Sequence, residues 1–392
     1  MQITPGWQGP ASVPPSDRSR RWASTMAGHG RGLRVAHADS TAAVGPAGAL
    51  PQPAFDRVRR EEAEDRLLAP GATRASGAGC RARPEEPDLR RTCFERDRDR
   101  ILHSAAFRRL AGKTQVFIFP RDHQRTRLTH ALEVAQVARG IAQACRLNVA
   151  LTEAIALGHD CGHGPGGHAS EDALSVFLPG GFDHAVWGAD QSLTPLNLCA
   201  ETLDGIRNHS WSRPAPATPE GEVVSWADRI AYVCHDWEDA VSAGIVTERM
   251  LPDVVRRRCG TSRSDQLGAF IDGMVDTIAG HGTIGLGEEL AEALAAFRRG
   301  NYEHVYLRPA SVAQGEAVVA VLRSLVEHFA DRPNRIPDVG DAGLAAGSEQ
   351  AVRAAVGYVA GMTDRFALRT AVSELGWDPA RLPAGLEAWQ RL

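Results

Sequence analysis

Along most of the chain the apolar residues recur with the period of an amphipathic helix, and alternating strand patterns are scarce. The segment LTHALEVAQVARGIAQACRL contains one helical face made of His130, Val134, Val137 and Ile141. Because the other residues of that face are apolar, His130 is predicted to point inward. Helical patterns continue beyond Met250, so the predicted fold class is mainly α.

Two further segments predict where polar side chains meet the core. In TEAIAL, Thr152 is predicted to cap a helix that stops at Gly158, which puts His159 and Asp160 at a helix end beside a glycine-rich loop. The segment VVSWADRIAYVCHDWEDAVSAG predicts another helix. Its apolar stripe is Trp226, Ile230, Val233 and Trp237, and a second stripe with a spacing of four residues is Asp228, Tyr232 and Asp236.

The N-terminal part of the chain differs from the rest in composition. Residues 1–57 are rich in Gly, Pro, Ser, Ala and Arg and lack sustained periodicity, which predicts a disordered leader. Residues 58–392 are predicted to form one domain that ends in additional C-terminal helices.

The amino-acid composition limits the classes of protein to which the chain can belong. With 43% hydrophobic and 23% charged residues the chain is predicted to be globular, and its net charge of -4 supplies no general attraction for nucleic acid. The seven cysteines are scattered without a CxxC pair, which indicates reduced thiols. The sequence contains neither a membrane-spanning apolar stretch nor a signal peptide, so a cytoplasmic location is predicted.

Ligand and acid–base side chains are densest in the segment HDCGHGPGGHASE, which contains His159, Asp160, His163, His168 and Glu171 among four glycines. An imidazole nitrogen and a carboxylate oxygen together suit Mn, Fe, Co, Ni or Zn. Two ligands are too few for a stable site. The inward His130 and the carboxylate of Asp228 are therefore predicted to complete the set.

These residues, in this order, resemble the H…HD…D signature of the HD superfamily, and more closely its dGTPase-like branch. The resemblance runs from about Ala69 to Gly244 and includes RDRDRILHSAAFRRLAGKTQVF, RTRLTHALEVAQVAR, GGFDH, LNLCAETLDGIRNH and WADRIAYVCHD. It implies an HD-domain helical bundle that hydrolyses a deoxynucleoside triphosphate, dGTP or a broader set, to deoxynucleoside and triphosphate. It also implies a divalent cofactor, Mn, Mg, Fe, Co or Ni, held by His130, His159, Asp160 and Asp228.

The resemblance implies further roles for individual residues. Phosphate contacts map to Arg127, His163, His184, Arg229 and Tyr232, and sugar and base contacts map to Gln115, Val116 and Asp236. His168 is expected to support proton transfer, and Glu171, three positions later at a helix start, is expected to orient it. Gly166 replaces a family aromatic residue and Ala185 a family asparagine, which leaves the base specificity open.

Two alternatives share this fold. The first is another HD phosphohydrolase, such as a 5'-deoxynucleotidase or a phosphodiesterase, which would use the same metal site on a different ester. The second is a catalytically weak regulator that binds single-stranded nucleic acid, although the acidic composition does not favour it. Similar enzymes form tetramers or hexamers, so a homo-oligomer is expected, with a dNTP substrate, a nucleotide effector as a further partner, and no membrane association.

Overall fold

The computed structural model describes residues 16–24, 55–117, 124–337, 339 and 343–383. The chain divides into two compact units, Met1–Ala54 and Phe55–Leu392. In the first unit the described residues form one helix, α1 (Asp17–Ser24). Most of the leader lies outside the described residues, so its disorder stays a prediction.

The second unit is built from helices, which confirms the mainly α fold class. Within the described residues it contains no strand, and extended segments meet only at two isolated bridges, Arg81 with Cys199 and Thr114 with Thr126. No helix of the described residues is both long and apolar enough to span a bilayer. The helices are α2 (Arg57–Leu67), α3 (Cys93–His103), α4 (Ala105–Arg109), α5 (Arg127–Ala144), α6 (Val149–Gly158), α7 (Ala169–Leu174), α8 (His184–Trp187), α9 (Ala200–Arg207), α10 (Pro219–Ser242), α11 (Asp253–Cys259), α12 (Arg263–His281), α13 (Glu288–Asn301), α14 (Pro309–Asp331), α15 (Glu349–Ala360) and α16 (Asp364–Leu375).

A first hydrophobic core lies between α3, α5, α6 and α10. The predicted apolar stripes point into it: Val134, Val137, Ile141, Ile230 and Val233 have no solvent exposure, and Trp237 is also buried. His130, on the same face of α5, is buried as predicted. Burial of these apolar stripes fixes the rotation of α5 and α10 about their axes, and therefore where their polar side chains point.

The start of α6 differs from the prediction. Asn148, not Thr152, is the N-cap, and its side chain accepts a hydrogen bond from the backbone N–H of Leu151. Thr152 lies inside the helix, where its hydroxyl donates to the carbonyl of Asn148. Asparagine is as good an N-cap as threonine, and the apolar residues at 149–151 extend the helix by one turn. The end of α6 at Gly158 agrees with the prediction.

A second hydrophobic core packs the C-terminal helices α14, α15 and α16 against α7. It contains Leu174 of α7 together with Val321, Leu325, Val356, Val359 and Ala371. Because α7 directly follows the glycine-rich loop of residues 162–168, this core fixes one end of that loop.

Hydrogen bonds hold the same loop from its other side. The buried Asp364, the first residue of α16, accepts from the backbone N–H of Gly166 at 2.8 Å and from the backbone N–H of Thr114 at 2.9 Å. The buried Lys113 donates to the carbonyl of His163 and, at 2.9 Å, to that of Ala360. The glycine-rich loop is therefore positioned by polar contacts that reach it from the C-terminal helices.

Candidate metal centre and active-site cavity

Three helices bring together the four residues predicted as metal ligands. His130 comes from α5, His159 and Asp160 directly follow α6, and Asp228 comes from α10. Nε2 of His130 lies 3.0 Å from Oδ1 of Asp228, and Nε2 of His159 lies 3.7 Å from the same oxygen. Oδ1 of Asp160 lies 3.5 Å from Nε2 of His159. The donor atoms of His130, His159 and Asp228 thus form one close group, and Asp160 approaches this group beside His159.

The arrangement of donor atoms fits a divalent metal ion. Ligand atoms bound to one ion at roughly 2.1 Å lie about 3 to 4 Å apart, which matches the spacings in this cluster. The ring of His159 donates from Nδ1 to the carbonyl of Ala156 at 2.7 Å, which leaves Nε2 as a buried acceptor with no hydrogen-bond partner. A backbone acceptor on the outer nitrogen is the usual way in which a protein fixes a histidine for metal binding.

Both carboxylates of the cluster are ionised at neutral pH. Burial opposes the charge of Asp160, but Arg127 and the surrounding histidines outweigh burial and hold the pKa of that carboxyl well below its usual value. Burial also opposes the charge of Asp228, and the hydrogen bond from His130 together with neighbouring imidazoles lowers the pKa of Asp228. The cluster therefore offers two negative charges to a cation.

His209 is a third imidazole at the cluster, to which the sequence assigned no role. Its ring packs edge-on against that of His159, with centroids 4.9 Å apart. Its Nδ1 donates to the carbonyl of Ile206 at 2.7 Å, so its Nε2 is an acceptor that faces the cluster. With His159 and Asp160 it forms a second possible ligand trio. The signal in the sequence was its place in the motif LNLCAETLDGIRNH, directly after α9.

The expected pairing of Glu171 with His168 is wrong in the structure. Oε1 of Glu171 instead lies 2.7 Å from Nδ1 of His184 and accepts from the backbone N–H of His184 at 3.0 Å. His168 is the N-cap of α7, and its ring lies against that of His163, with centroids 5.3 Å apart. Glu171 faces α8, whose first residue offers two donors, whereas the ring of His168 opens onto the cavity.

The hydrogen bonds around His184 determine the protonation state of its imidazole ring. Nδ1 of His184 faces the carboxylate of Glu171, and Nε2 lies 3.2 Å from the acceptor Nε2 of His209. Both nitrogens of His184 therefore act as donors, which is the imidazolium form. Although burial opposes the charge, the hydrogen bond to Glu171 raises the pKa of His184. Desolvation within the cavity and the charge of Arg127, by contrast, lower the pKa of His168 to about 4.

Among the described residues, Arg127 and Arg229 carry donors without hydrogen-bond partners. The buried Arg127 donates from Nη1 to Asp160 at 2.7 Å, while its Nε and Nη2 are buried without hydrogen bonds. No carboxylate of the described residues lies within ion-pair distance of Arg229, and its Nε is likewise without a partner. Desolvated guanidinium donors of this kind are matched to an anionic ligand.

Apart from His159 and Glu171, these residues line a cavity of about 1040 Å³. Asp236 and Gln115 carry buried oxygens without hydrogen-bond partners there, and burial raises the pKa of Asp236 to about 7. All of the residues predicted to contact substrate line the cavity: Gln115, Val116, Arg127, His163, His184, Arg229, Tyr232 and Asp236.

The C-terminal helices contribute cavity residues that sequence reasoning missed. The hydroxyl of Tyr306 donates to Asp236, and Nε of Arg298 donates to the hydroxyl of Tyr232 at 3.0 Å. Arg308 and Arg323 also line this side. The only signal in the sequence was an aromatic and basic composition near residue 300, without a motif that would place it at the site.

Gly162 allows the backbone of α8 to approach the segment that carries His159 and Asp160. A Cβ atom at this position would lie 2.0 Å from the carbonyl oxygen of His184 and 2.3 Å from the backbone nitrogen of Gly188. Backbone atoms cannot move aside as a flexible side chain does. Any side chain at residue 162 would therefore displace His184, whose Nε2 lies 3.7 Å from Oδ1 of Asp160.

We expect Gly162→Ala to destabilise the protein by about 1 to 3 kcal/mol through overpacking. Gly140→Ala is the matched control, because a Cβ at Gly140 of α5 meets nothing within 4 Å. In a helix that control should be neutral or stabilising by about 0.5 to 1 kcal/mol. Urea unfolding measures both effects, and equal stabilities of the two variants would contradict the close approach.

Two family models match separate parts of the chain. The family model of the HD domain matches residues 127–233, the range that contains all four residues predicted as metal ligands. The family model of the phosphohydrolase-associated domain matches residues 284–373, which contain the whole of α13, α14 and α15 and most of α16.

Similar proteins extend this agreement over most of the chain. A deoxyguanosinetriphosphate triphosphohydrolase-like protein of Caldanaerobacter subterraneus is 42% identical over 79% of this chain and 92% of its own length. A protein of the same description from Clostridium perfringens strain 13 is 42% identical over 73% of this chain and 87% of its own length. A third, from Desulfatibacillum aliphaticivorans, is 38% identical and covers 80% and 95%. The chain is thus a member of the deoxyguanosinetriphosphate triphosphohydrolase-like family of HD-domain phosphohydrolases.

Proposed function

We propose that the protein hydrolyses a deoxynucleoside triphosphate at its α-phosphorus, releasing deoxynucleoside and triphosphate. The observation that carries this proposal is the position of the His/Asp cluster beside unpaired arginine donors in one cavity. A ligand with several phosphates would contact both the His/Asp cluster and the arginine donors of this cavity. The printed names of the relatives support the same substrate class.

His130, His159, Asp160 and Asp228 would hold the divalent ion. When bound, such an ion would stabilise negative charge on a phosphate and would lower the pKa of water, so that a hydroxide nucleophile is available at neutral pH. Asp160 would also fix the orientation of Arg127, with which it shares a hydrogen bond of 2.7 Å. The metal ligand and the phosphate-binding arginine are therefore parts of one network.

The remaining polar residues have separate tasks in this mechanism. The free donors of Arg127 and Arg229 and the imidazolium of His184 would neutralise phosphate oxygens as negative charge develops in the transition state. His163 and Tyr232 would extend this contact surface. His168 would support proton transfer at the bond between the α-phosphorus and the 5'-oxygen. Glu171 would hold His184 in its charged form.

The sugar and base would lie towards Gln115, Val116 and Asp236. The Tyr306 hydroxyl occupies one oxygen of Asp236 and leaves the other without a partner, so that oxygen is available to a sugar hydroxyl. The base would reach the side of the cavity formed by α14. Gly166 adds no room there, because a Cβ at residue 166 would lie 2.5 Å from Cγ1 of Val318. A nucleotide effector and homo-oligomer formation belong to the same proposal.

Product analysis tests the proposed reaction. Each dNTP would be incubated with the protein and with Mn²⁺, Mg²⁺, Co²⁺ or Ni²⁺, and the products resolved by ion-exchange chromatography. We expect equal amounts of deoxynucleoside and triphosphate, and no product without metal. Release of orthophosphate, or of a deoxynucleoside monophosphate with pyrophosphate, would contradict the proposal. Hydrolysis of deoxynucleoside monophosphates alone would favour a 5'-deoxynucleotidase.

A further inference from the structure

Trp211 lies in contact with Arg229 at the wall of the cavity. The guanidinium carbon of Arg229 is 3.7 Å from the centre of the indole ring, a stacking distance, whereas the ring of Tyr232 is 5.9 Å away. Trp211 is 47% exposed, which is unusual for a tryptophan of a globular protein, and it lines the cavity. The stacked indole therefore replaces the carboxylate that would ordinarily hold an arginine in place.

The indole is itself held from two sides. Its ring packs edge-to-face against Trp226, with centroids 4.7 Å apart. Trp226 and Arg229 are three residues apart on α10, so they project from neighbouring positions on one helix face. Two residues before Trp211, the carbonyl of His209 accepts from the hydroxyl of Ser225 at 2.6 Å. The segment 209–211 is thus attached to α10 at both of its ends.

Stacking constrains an arginine differently from an ion pair. A guanidinium stacked on an aromatic face keeps all its N–H groups free in its own plane, whereas a carboxylate would occupy two of them. Because Nε of Arg229 has no hydrogen-bond partner, the stacked arrangement leaves its donors available to a ligand. An indole also adds no negative charge that would repel a phosphate.

We propose that Trp211 is a positioning residue for the triphosphate group, acting through the guanidinium of Arg229. The inference rests on the proposed function, since it assigns the ligand of Arg229 to the phosphate chain. Trp211 holds the side chain of Arg229 in its binding orientation in the free protein. Binding of the ligand therefore does not have to restrict the motion of that side chain. The effect concerns binding of the triphosphate and is independent of the base.

Isothermal titration with inorganic triphosphate in the presence of Mg²⁺ measures this role without catalysis. Trp211→Ala should raise the Kd about 3- to 10-fold, the range of a cation–π contact at a partly exposed site. Trp211→Phe should recover part of the affinity, and Trp211→Leu, which keeps apolar volume without an aromatic face, should not. Phe366→Ala is the control, since Phe366 is equally exposed (48%) and lies on α16.

A double-mutant cycle shows whether the effect passes through Arg229. In an Arg229→Met background, Trp211→Ala should have no further effect on the Kd, because the group that it positions is absent. In steady-state kinetics Trp211→Ala should raise KM by a similar factor for all four dNTPs and leave kcat within about twofold. Thermal unfolding of each variant would verify that the exposed substitution leaves the fold intact.

Each outcome decides the matter in one direction. Equal Kd values for the wild-type protein and Trp211→Ala would overturn the inference while leaving the proposed function in place. A KM change that differs strongly between purine and pyrimidine dNTPs would overturn it in favour of base stacking on Trp211. Failure of the wild-type protein to bind inorganic triphosphate or to hydrolyse any dNTP would overturn the proposed function itself.

Discussion

Replacing Asp160 with alanine should remove metal and activity together. The change deletes a ligand and a negative charge from the cluster, and it leaves Arg127 buried without its acceptor. Loss of an outer-shell partner alone weakens metal binding by about 10- to 100-fold, so loss of a direct ligand should exceed the upper value. Excess metal should restore part of the turnover, because three ligands remain.

Elemental analysis by mass spectrometry, run in parallel with activity assays, would measure both effects. Asp253→Ala is a suitable control, because its carboxylate is largely exposed and forms an ion pair with Arg256 on the surface of α11. Asp160→Asn separates charge from shape, since the amide has the same size but no negative charge. Full metal content in Asp160→Ala would remove this residue from the metal centre.

Replacing His168 with alanine should slow the chemical step while leaving metal and substrate bound. His168 is outside the metal cluster, so its loss should not change metal content, but a group that supports proton transfer contributes about 10²- to 10⁴-fold to the rate. Single-turnover measurements at saturating dNTP would isolate that step. Normal turnover with metal bound would exclude His168 from the mechanism.

The structure changes which double mutant should be non-additive. Since Glu171 contacts His184 and not His168, Glu171→Gln combined with His184→Ala should be little worse than His184→Ala alone. Glu171→Gln combined with His168→Ala should instead cost clearly more than His168→Ala alone, because Glu171 then acts mainly through His184. The reverse result would restore the pairing that the sequence predicted.

Much of the metal centre could be predicted because it depends on local periodicity. The helical pattern of α5 places His130 on the same face as Val134 and Ile141, and burying that face brings the imidazole inside. The second stripe of α10 likewise predicts that Asp228, Tyr232 and Asp236 share a face, and all three line the cavity. Because burial of one face fixes the rotation of such a helix about its axis, it also fixes the direction in which every other side chain of the helix points.

Other features depend on contacts between distant segments and could not be predicted in this way. Spacing placed Glu171 near His168, but packing of α8 beside α7 supplied His184 as a better partner. Arg298 and Tyr306 reach the cavity only because α13 and the turn after it pack beside α10, and no local pattern encodes that contact. Interactions across tertiary contacts therefore decided the details of the site.

Hydrolysis of a dNTP in ¹⁸O-labelled water, followed by mass spectrometry of the separated products, tests the central claim most directly. Attack of water at the α-phosphorus with departure of the 5'-oxygen predicts one ¹⁸O atom in each triphosphate and none in the deoxynucleoside. The reaction should require a divalent metal and should be lost in Asp160→Ala. Label in the deoxynucleoside, in orthophosphate or in a nucleoside monophosphate would contradict the proposed reaction.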